Sequence, residues 1–276
     1  MGTHLLPLTE AEVSLFRQKG VICSSRPVLE KARFQELAQL VYQTIDKNLK
    51  PDESGTLSSL HVTDPAFINF AKEDSLLNII ESLIGPNIGL ISVNLFIKRP
   101  NTHQYVQWHT DAHSYQQLKL FDQVDLASML IAITPSTKAN GCVRYIAGSH
   151  LKKSRTYKDD PYQNCLFGDQ WGYSGVADSE VDLAAEVIDM EIPQGYCSIH
   201  DIHTMHGSEP NSSSEERILL NFKFFPTHLR VDTNGVQQYF NSAQNGYLVR
   251  GTDLGNTCAY SCVGGDTEFT HRKAKV

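Results

Sequence analysis

One short run, VQWHTDAHSY, holds His109-Thr110-Asp111, the single His-x-Asp of the chain. Residues two apart on an extended strand share a face, so an imidazole and a carboxylate there can approach one ion. That donor pair suits a divalent first-row metal such as Fe(II). One more imidazole would complete a facial set of two histidines and one carboxylate, with three coordination positions left open. The second histidine has to arrive from a neighbouring strand. Late in the chain, HDIHTMHGSEPNSSSEER offers His200, His203 and His206.

Arg217 selects among them. A dicarboxylate co-substrate that chelates a metal at one end needs a cation at the other, and a guanidinium meets a carboxylate with a planar fork. His206 and Arg217 stand 11 residues apart across a polar, turn-rich connection, which allows adjacent antiparallel strands. Ser208 shares the face of His206 and adds a hydroxyl to the same carboxylate. His203 falls on the opposite face. His200 shares the face of His206, but on a continuous strand it sits about 20 Å away, too far for the same ion. Asn94 and Lys98 alternate with Ser92 and Phe96 along one strand and are candidates to reach co-substrate or substrate. Gln107, two before His109, is a further candidate on that face.

These side chains need strands to carry them. From about residue 88, short β-rich runs follow one another: IGLISVNLFIK, QYVQWH, VDLASMLIAIT, CVRYIA, EVIDMEI, CSIHDI and RILLNFKFF. Turn chemistry in RPNT, KANG and EIPQG separates several of them. The pattern fits a sandwich or barrel rather than βαβ units. The earlier part reads as helical. Thr9 is an N-cap and Gly20 a stop before the β-prone VIC, and Leu37, Leu40, Val41, Thr44 and Ile45 repeat at helical spacing. The expected organisation is one domain over 1–276, with 1–87 as mainly helical support, 88–230 as β core and 231–276 as a C-terminal extension. A long polar stretch between about 150 and 185 carries Tyr157, Tyr162, Phe167, Trp171 and Tyr173. Loops of that length are commonly functional lids, and this one is expected to cover the substrate and set specificity.

Composition narrows the partners. A formal net charge of −7 argues against a surface that tracks nucleic-acid phosphates, while leaving room for a local pocket that holds a small anion. No apolar run reaches the length that spans a bilayer, and the N-terminal stretch lacks a secretory pattern. The 6 cysteines form no CxxC pair, and free thiols suit a reducing, cytoplasmic setting. The expected partner is a small-molecule substrate, without nucleic acid or membrane, and a homo-oligomer stays open.

At these residues the chain resembles the phytanoyl-CoA dioxygenase family of Fe(II)/2-oxoglutarate oxygenases, of the bacterial or biosynthetic type. The likeness extends to LTEAEVSLFRQKGVI, LFIKRPNTHQYVQWHTDAHSY, MLIAITPSTKANGCVRYIAGSHL, HGSEPNSSSEERILLNFKFFPTHLR and YLVRGTD, in that order over roughly residues 8–256. The resemblance implies a double-stranded β-helix, a cupin-like jelly roll braced by N-terminal helices. It implies His109, Asp111 and His206 as iron ligands. It implies Arg217, helped by Ser208, as the clamp for the far carboxylate of 2-oxoglutarate, whose other end chelates iron. O2 would be the second co-substrate, and succinate and CO2 would leave as a small metabolite or natural-product intermediate is oxidised. Halogenating relatives replace the carboxylate with a small residue, whereas this chain keeps Asp111, which favours hydroxylation or another halide-free oxidation. Tyr115 stands where several relatives place a tryptophan, so that contact differs here.

Two rivals have distinct signatures. A non-catalytic jelly-roll module that binds metal would have no use for a co-substrate clamp. A zinc site built from His200, His203 and His206 would need the three side chains to converge and a fourth ligand to join them.

Overall fold

The computed structural model describes residues 7–117, 125–158, 165–166, 175–182, 184–230, 246–256, 258–261 and 270–271. The N-terminal part supplies helices α1 (Glu10–Lys19), α2 (Lys31–Asn48), α3 (Leu60–Thr63), α4 (Ala66–Ala71) and α5 (Asp74–Ile84), and α6 (Asp111–Gln117) follows later. The Thr9 hydroxyl accepts from the Glu12 amide while Glu12 reaches back to Thr9, and Gly20 closes α1 in the left-handed region at φ 77°. A Cβ there would meet no positive-φ tolerance and would press on His150 and Thr204. The stripe expected from the sequence is the buried side of α2, with Leu37, Val41 and Ile45 inside.

The strands are β1 (Val21–Cys23), β2 (Gly55–Leu57), β3 (Ile88–Lys98), β4 (Val106–His109), β5 (Ala127–Ala132), β6 (Val143–Ile146), β7 (Val187–Met190), β8 (Cys197–Asp201), β9 (His206–Ser208), β10 (Arg217–Pro226), β11 (Gly246–Arg250), β12 (Cys258–Ser261) and β13 (Thr270–His271). The larger sheet runs β1-β8-β5-β10-β3-β11-β12-β13, with β2 also paired to β3. The smaller runs β4-β9-β6-β7. Two mostly antiparallel sheets with these crossovers make the jelly roll that the resemblance implied. Strands from the helical part and from the C-terminal extension, β1, β2 and β11, also enter the larger sheet.

Period-two alternation divides the work of the large sheet. On β10, Ile218, Leu220, Phe222 and Phe224 join the apolar cluster that packs against α2, α4 and α5. Burying each such side chain stabilises the fold by about 1.5–3 kcal/mol. The other face carries Arg217, Leu219, Asn221 and Lys223, all buried, toward the small sheet. The helices fix the large sheet from behind, and the polar chemistry lies between the sheets. No helix among the described residues is long and apolar enough to cross a membrane.

Candidate active site

β4 and β9 are antiparallel neighbours in the small sheet, and their register sets His109 directly opposite His206. Their ring centroids lie 4.1 Å apart. Asp111 opens α6 immediately after β4, so the chain turns and brings its carboxylate back to the same point. One ligand atom from each of His109, Asp111 and His206 falls within 4.8 Å of the others, and all three residues are buried. Strand pairing across β4 and β9 joins the two histidines, and the turn into α6 adds Asp111.

Backbone carbonyls settle which imidazole nitrogens face the centre. His109 Nδ1 donates to the Gln107 carbonyl at 2.8 Å, and His206 Nδ1 donates to the Thr204 carbonyl at 2.9 Å. A carbonyl only accepts, so both Nδ1 atoms carry the proton and both Nε2 atoms keep a lone pair. Burial holds the rings neutral. It pushes His109 down to about 3, with His206 adding to the effect, and His206 down to about 4, with His200 adding. Neutral imidazoles with free Nε2 lone pairs are the form that ligates a metal.

The two oxygens of Asp111 have separate surroundings. Oδ1 faces His109 Nε2 at 3.9 Å. Oδ2 is held by Lys223 Nζ at 3.1 Å and His200 Nε2 at 3.4 Å. Burial alone would raise this carboxyl, yet the Lys223 ammonium and the His200 hydrogen bond outweigh it and hold it well below the usual carboxylate range. His200 Nδ1 in turn meets the Tyr145 hydroxyl at 3.1 Å. Tyr145, His200 and Lys223 thus orient the carboxylate from behind.

The placement of His200 corrects the sequence reading. It does not lie on a continuous strand with His206. His200 belongs to β8 of the large sheet, opposite Ser128, and His206 begins β9 of the small sheet. Residues 202–205 carry the chain across, and the His200 and His206 ring centroids lie 4.6 Å apart. His203 is buried beside that crossing, its amide donating to Asp201 Oδ1 at 2.8 Å, and it is outside the three-residue ligand group.

A cavity spreads from the His-Asp-His group and is lined by Phe96, Leu130, Ser208, Arg217 and Asn221 among others. Arg217 opens β10 and is 2% exposed. One guanidinium nitrogen donates to the Gly141 carbonyl at 2.8 Å, while Nε has no partner among the described residues. Burial brings this guanidinium down to about 10. Gly141 sits at φ 76° in the KANG turn, where a Cβ would collide with the Glu209 carbonyl, so only glycine brings this acceptor to Arg217. Lys98 is the strand partner of Arg217, and its Nζ donates to Ser208 Oγ at 2.8 Å and to the Glu209 carbonyl. Burial, aided by Arg217, brings Lys98 down to about 6. The Arg217 guanidinium and the Ser208 hydroxyl therefore line one end of the cavity, with the Lys98 amine directly behind Ser208.

Asn94 and Gln107 are placed differently. Asn94 Oδ1 accepts from the Ser59 amide at 3.1 Å and its nitrogen donates to Ser92 Oγ at 2.7 Å, so its amide braces the segment after β2. Gln107 was expected on the face of His109. The pairing of Val106 with Ser208 but of His109 with His206 shows a bulge between them, which breaks the alternation. Val106 lines the site cavity, whereas the Gln107 side chain lies in an adjoining cleft with Trp108, Arg144 and Gly175.

Parts of the expected lid are described. Tyr157 stacks on His113 at 3.4 Å between centroids and meets the Thr110 hydroxyl at 2.7 Å. Leu166 enters the cavity wall, and its amide donates to the Tyr105 carbonyl at 2.9 Å. Tyr162, Phe167, Trp171 and Tyr173 lie outside the described residues.

Known proteins place this arrangement. Among curated proteins the chain is 25% identical over 163 residues to a probable alpha-ketoglutarate-dependent hypophosphite dioxygenase of Stutzerimonas stutzeri; the match takes in 58% of this chain and 53% of that protein, so it spans about half the relative's length. Three solved structures share the fold. The non-heme monooxygenase ThoJ, in its apo form, superposes with TM-score 0.64 at 23% identity, covering 88% of this chain and 85% of its own. The epimerase SnoN, in complex with Fe3+, alpha ketoglutarate and nogalamycin RO, gives 0.65 at 16% identity over 83% and 88%. EctD from S. alaskensis, with 2-oxoglutarate and 5-hydroxyectoine, gives 0.65 at 17% identity over 84% and 81%. The sequence profile of the phytanoyl-CoA dioxygenase (PhyH) family matches residues 16–219. That span opens inside α1, ends two residues past Arg217 and takes in the whole His-Asp-His group together with Lys98, Ser208 and Arg217. The chain belongs to the phytanoyl-CoA dioxygenase family.

Proposed function

We propose that this protein is an Fe(II)- and 2-oxoglutarate-dependent oxygenase that oxidises a small molecule. In this reading His109, Asp111 and His206 hold the iron, and Arg217, with Lys98 and Ser208, holds the far carboxylate of 2-oxoglutarate. The observation that carries it is the buried Arg217 guanidinium, with Nε unpartnered in the cavity that also holds the His-Asp-His group. A buried cation left without an anion is costly, and a dicarboxylate bound there removes that cost. The alpha-ketoglutarate dependence named for the Stutzerimonas stutzeri relative and the iron and alpha ketoglutarate bound by SnoN support the same reading.

Iron, 2-oxoglutarate and O2 together supply the oxidising chemistry, releasing succinate and CO2. The chain's own residues supply everything around it. The Gln107 and Thr204 carbonyls aim the two imidazoles. Lys223 and His200 hold Asp111 Oδ2 and leave Oδ1 toward the metal. Ser208 accepts from Lys98 and so keeps its own proton to donate to a carboxylate. Apolar Phe96, Leu130, Val143, Leu166 and Leu219 line the remainder and exclude water from the reacting space. The segment around Tyr157 and Leu166 bounds the substrate and sets its shape.

Anaerobic addition of Fe(II) and 2-oxoglutarate tests this directly. A visible charge-transfer absorption and slow succinate release in air are expected, and the absence of both rules the reading out.

Lys98 gives a second test, through pH. Its folded value of about 6 lies far below the 10.5 of a free lysine. Between those values the unfolded chain binds the extra proton, so the co-substrate-free protein gains stability as pH rises through that window. A carboxylate bound beside Lys98 favours the charged ammonium. Binding of 2-oxoglutarate to Mn(II)-loaded protein at pH 8 should therefore take up about one proton per site. Calorimetry in buffers of unlike ionisation enthalpy reads it, and no uptake would mean that Lys98 does not meet the dianion.

A further inference from the structure

Among the described residues, two of the side chains lining the cavity carry a buried polar atom without a partner, and the two are of opposite kind. Arg217 Nε is a donor and Asn221 Oδ1 an acceptor. A carboxylate of 2-oxoglutarate meets the first. It cannot meet the second.

Asn221 is 1% exposed. Its nitrogen donates to Ser128 Oγ at 2.8 Å and to the Met129 carbonyl at 3.2 Å. A backbone carbonyl only accepts, so the atom facing it is the amide nitrogen and the group cannot be turned over. The oxygen is thereby held as an acceptor. 2-Oxoglutarate at neutral pH is a ketone with two carboxylates, acceptors throughout, and has no proton to offer. A buried acceptor left unmet is costly, so whatever shares the cavity with the co-substrate has to bring a donor.

We propose that Asn221 is a substrate-specificity residue whose Oδ1 accepts a hydrogen bond from an O–H or N–H of the substrate. The substrate class is then a small polar molecule with a hydroxyl or an amine close to the carbon that reacts. This rests on the oxygenase reading of the site. The position of Asn221 agrees with it. Along β10, Asn221 stands four residues, about 13 Å, from Arg217 and two from Lys223, which touches Asp111. It is therefore at the metal end of the cavity, away from the carboxylate clamp. Leu130 is its strand partner on β5 and Leu219 precedes it on the same face, so beside the His-Asp-His group, His200 and Ser128 the Asn221 oxygen is the acceptor left to orient a substrate. Sites built to pair a substrate donor reject the analogue that lacks it by large factors, because their own polar group is stranded.

The test uses the full chain loaded with Mn(II) and 2-oxoglutarate. In its crystal structure a water that is not bound to the metal should lie within hydrogen-bond distance of Asn221 Oδ1, marking the place of the substrate donor. A metal-bound water, a co-substrate atom or a protein donor at that place overturns the proposal. In solution, Asn221→Leu should leave 2-oxoglutarate affinity and the Fe(II)–2-oxoglutarate absorption within about threefold of wild type. It should also erase a preference of tenfold or more for small alcohols over their methyl ethers, read as perturbation of that absorption. A lost absorption in Asn221→Leu would assign Asn221 to the co-substrate, and equal binding of alcohol and ether by wild type would overturn the donor requirement. If the variant does not fold, the crystallographic water alone decides. If wild type itself shows no absorption, the oxygenase reading fails, and that result is distinct from a failure of Asn221.

Discussion

Replacing Arg217 with methionine should weaken 2-oxoglutarate binding by about 30- to 3,000-fold while leaving the thermal stability of the co-substrate-free protein unchanged or higher. The two halves have opposite signs for one reason. With the dianion bound, truncating one partner of a buried charge pair costs about 2–5 kcal/mol, and each 1.4 kcal/mol is a factor of ten. Without the dianion, Arg217 is a buried cation whose Nε has no partner among the described residues, and its guanidinium donates to the Gly141 carbonyl. Exchanging such a charge for an apolar side chain of similar length is often neutral or stabilising. Calorimetric affinity on Mn(II)-loaded protein gives the first half, and thermal unfolding without co-substrate gives the second. A loss of affinity under threefold would remove Arg217 from the clamp. A large drop in melting temperature would make it a structural residue instead. Arg217→Lys should recover only part of the affinity, because an ammonium lacks the two-pronged fork.

The sequence exposed the parts of this site that depend on short-range periodicity. His109 and Asp111 were visible as the single His-x-Asp, and the spacing to Arg217 singled out His206. Where the chain changes sheet or gains a residue, the same rule failed. Distance along one strand excludes His200, but residues 202–205 cross between sheets and fold that distance away. Strict alternation puts Gln107 on the face of His109, but the β4 bulge adds a residue between Val106 and His109 and turns Gln107 toward the adjoining cleft. Lys223 and Asn221 are a different case. Alternation continued onward from Arg217 places Leu219, Asn221 and Lys223 on the same face, so a lysine at an inward position of RILLNFKFF was a readable signal of a buried partner. Its partner, Asp111, lies far away in sequence, and only the packed sheets reveal it.

Alanine at each histidine of HDIHTMHGSEPNSSSEER should give three different outcomes, set by what each ring touches. His206→Ala removes an imidazole whose Nε2 faces the metal position, and Fe(II) affinity should fall by well over about a hundredfold, with the visible absorption lost. His200→Ala removes a ring that grips Asp111 Oδ2 at 3.4 Å without entering the ligand group. Residues that orient a ligand in this way contribute roughly 10- to 100-fold in metal affinity, so the absorption should return at higher Fe(II). His200→Gln keeps a donor near the carboxylate and should restore part of the loss, which a purely space-filling role would not produce. His203 is buried, and His203→Ala should lower stability by about 1 kcal/mol, the usual size of such a change, with Fe(II) affinity within about threefold of wild type. Equal losses at all three positions would point to a general collapse of the crossing, and a loss confined to His203 would mean that the metal takes a different histidine. The graded result, His206 well above His200 and His200 above His203, is what β9 and the crossing before it require, because only His206 is strand-paired to His109 and only His200 reaches behind Asp111.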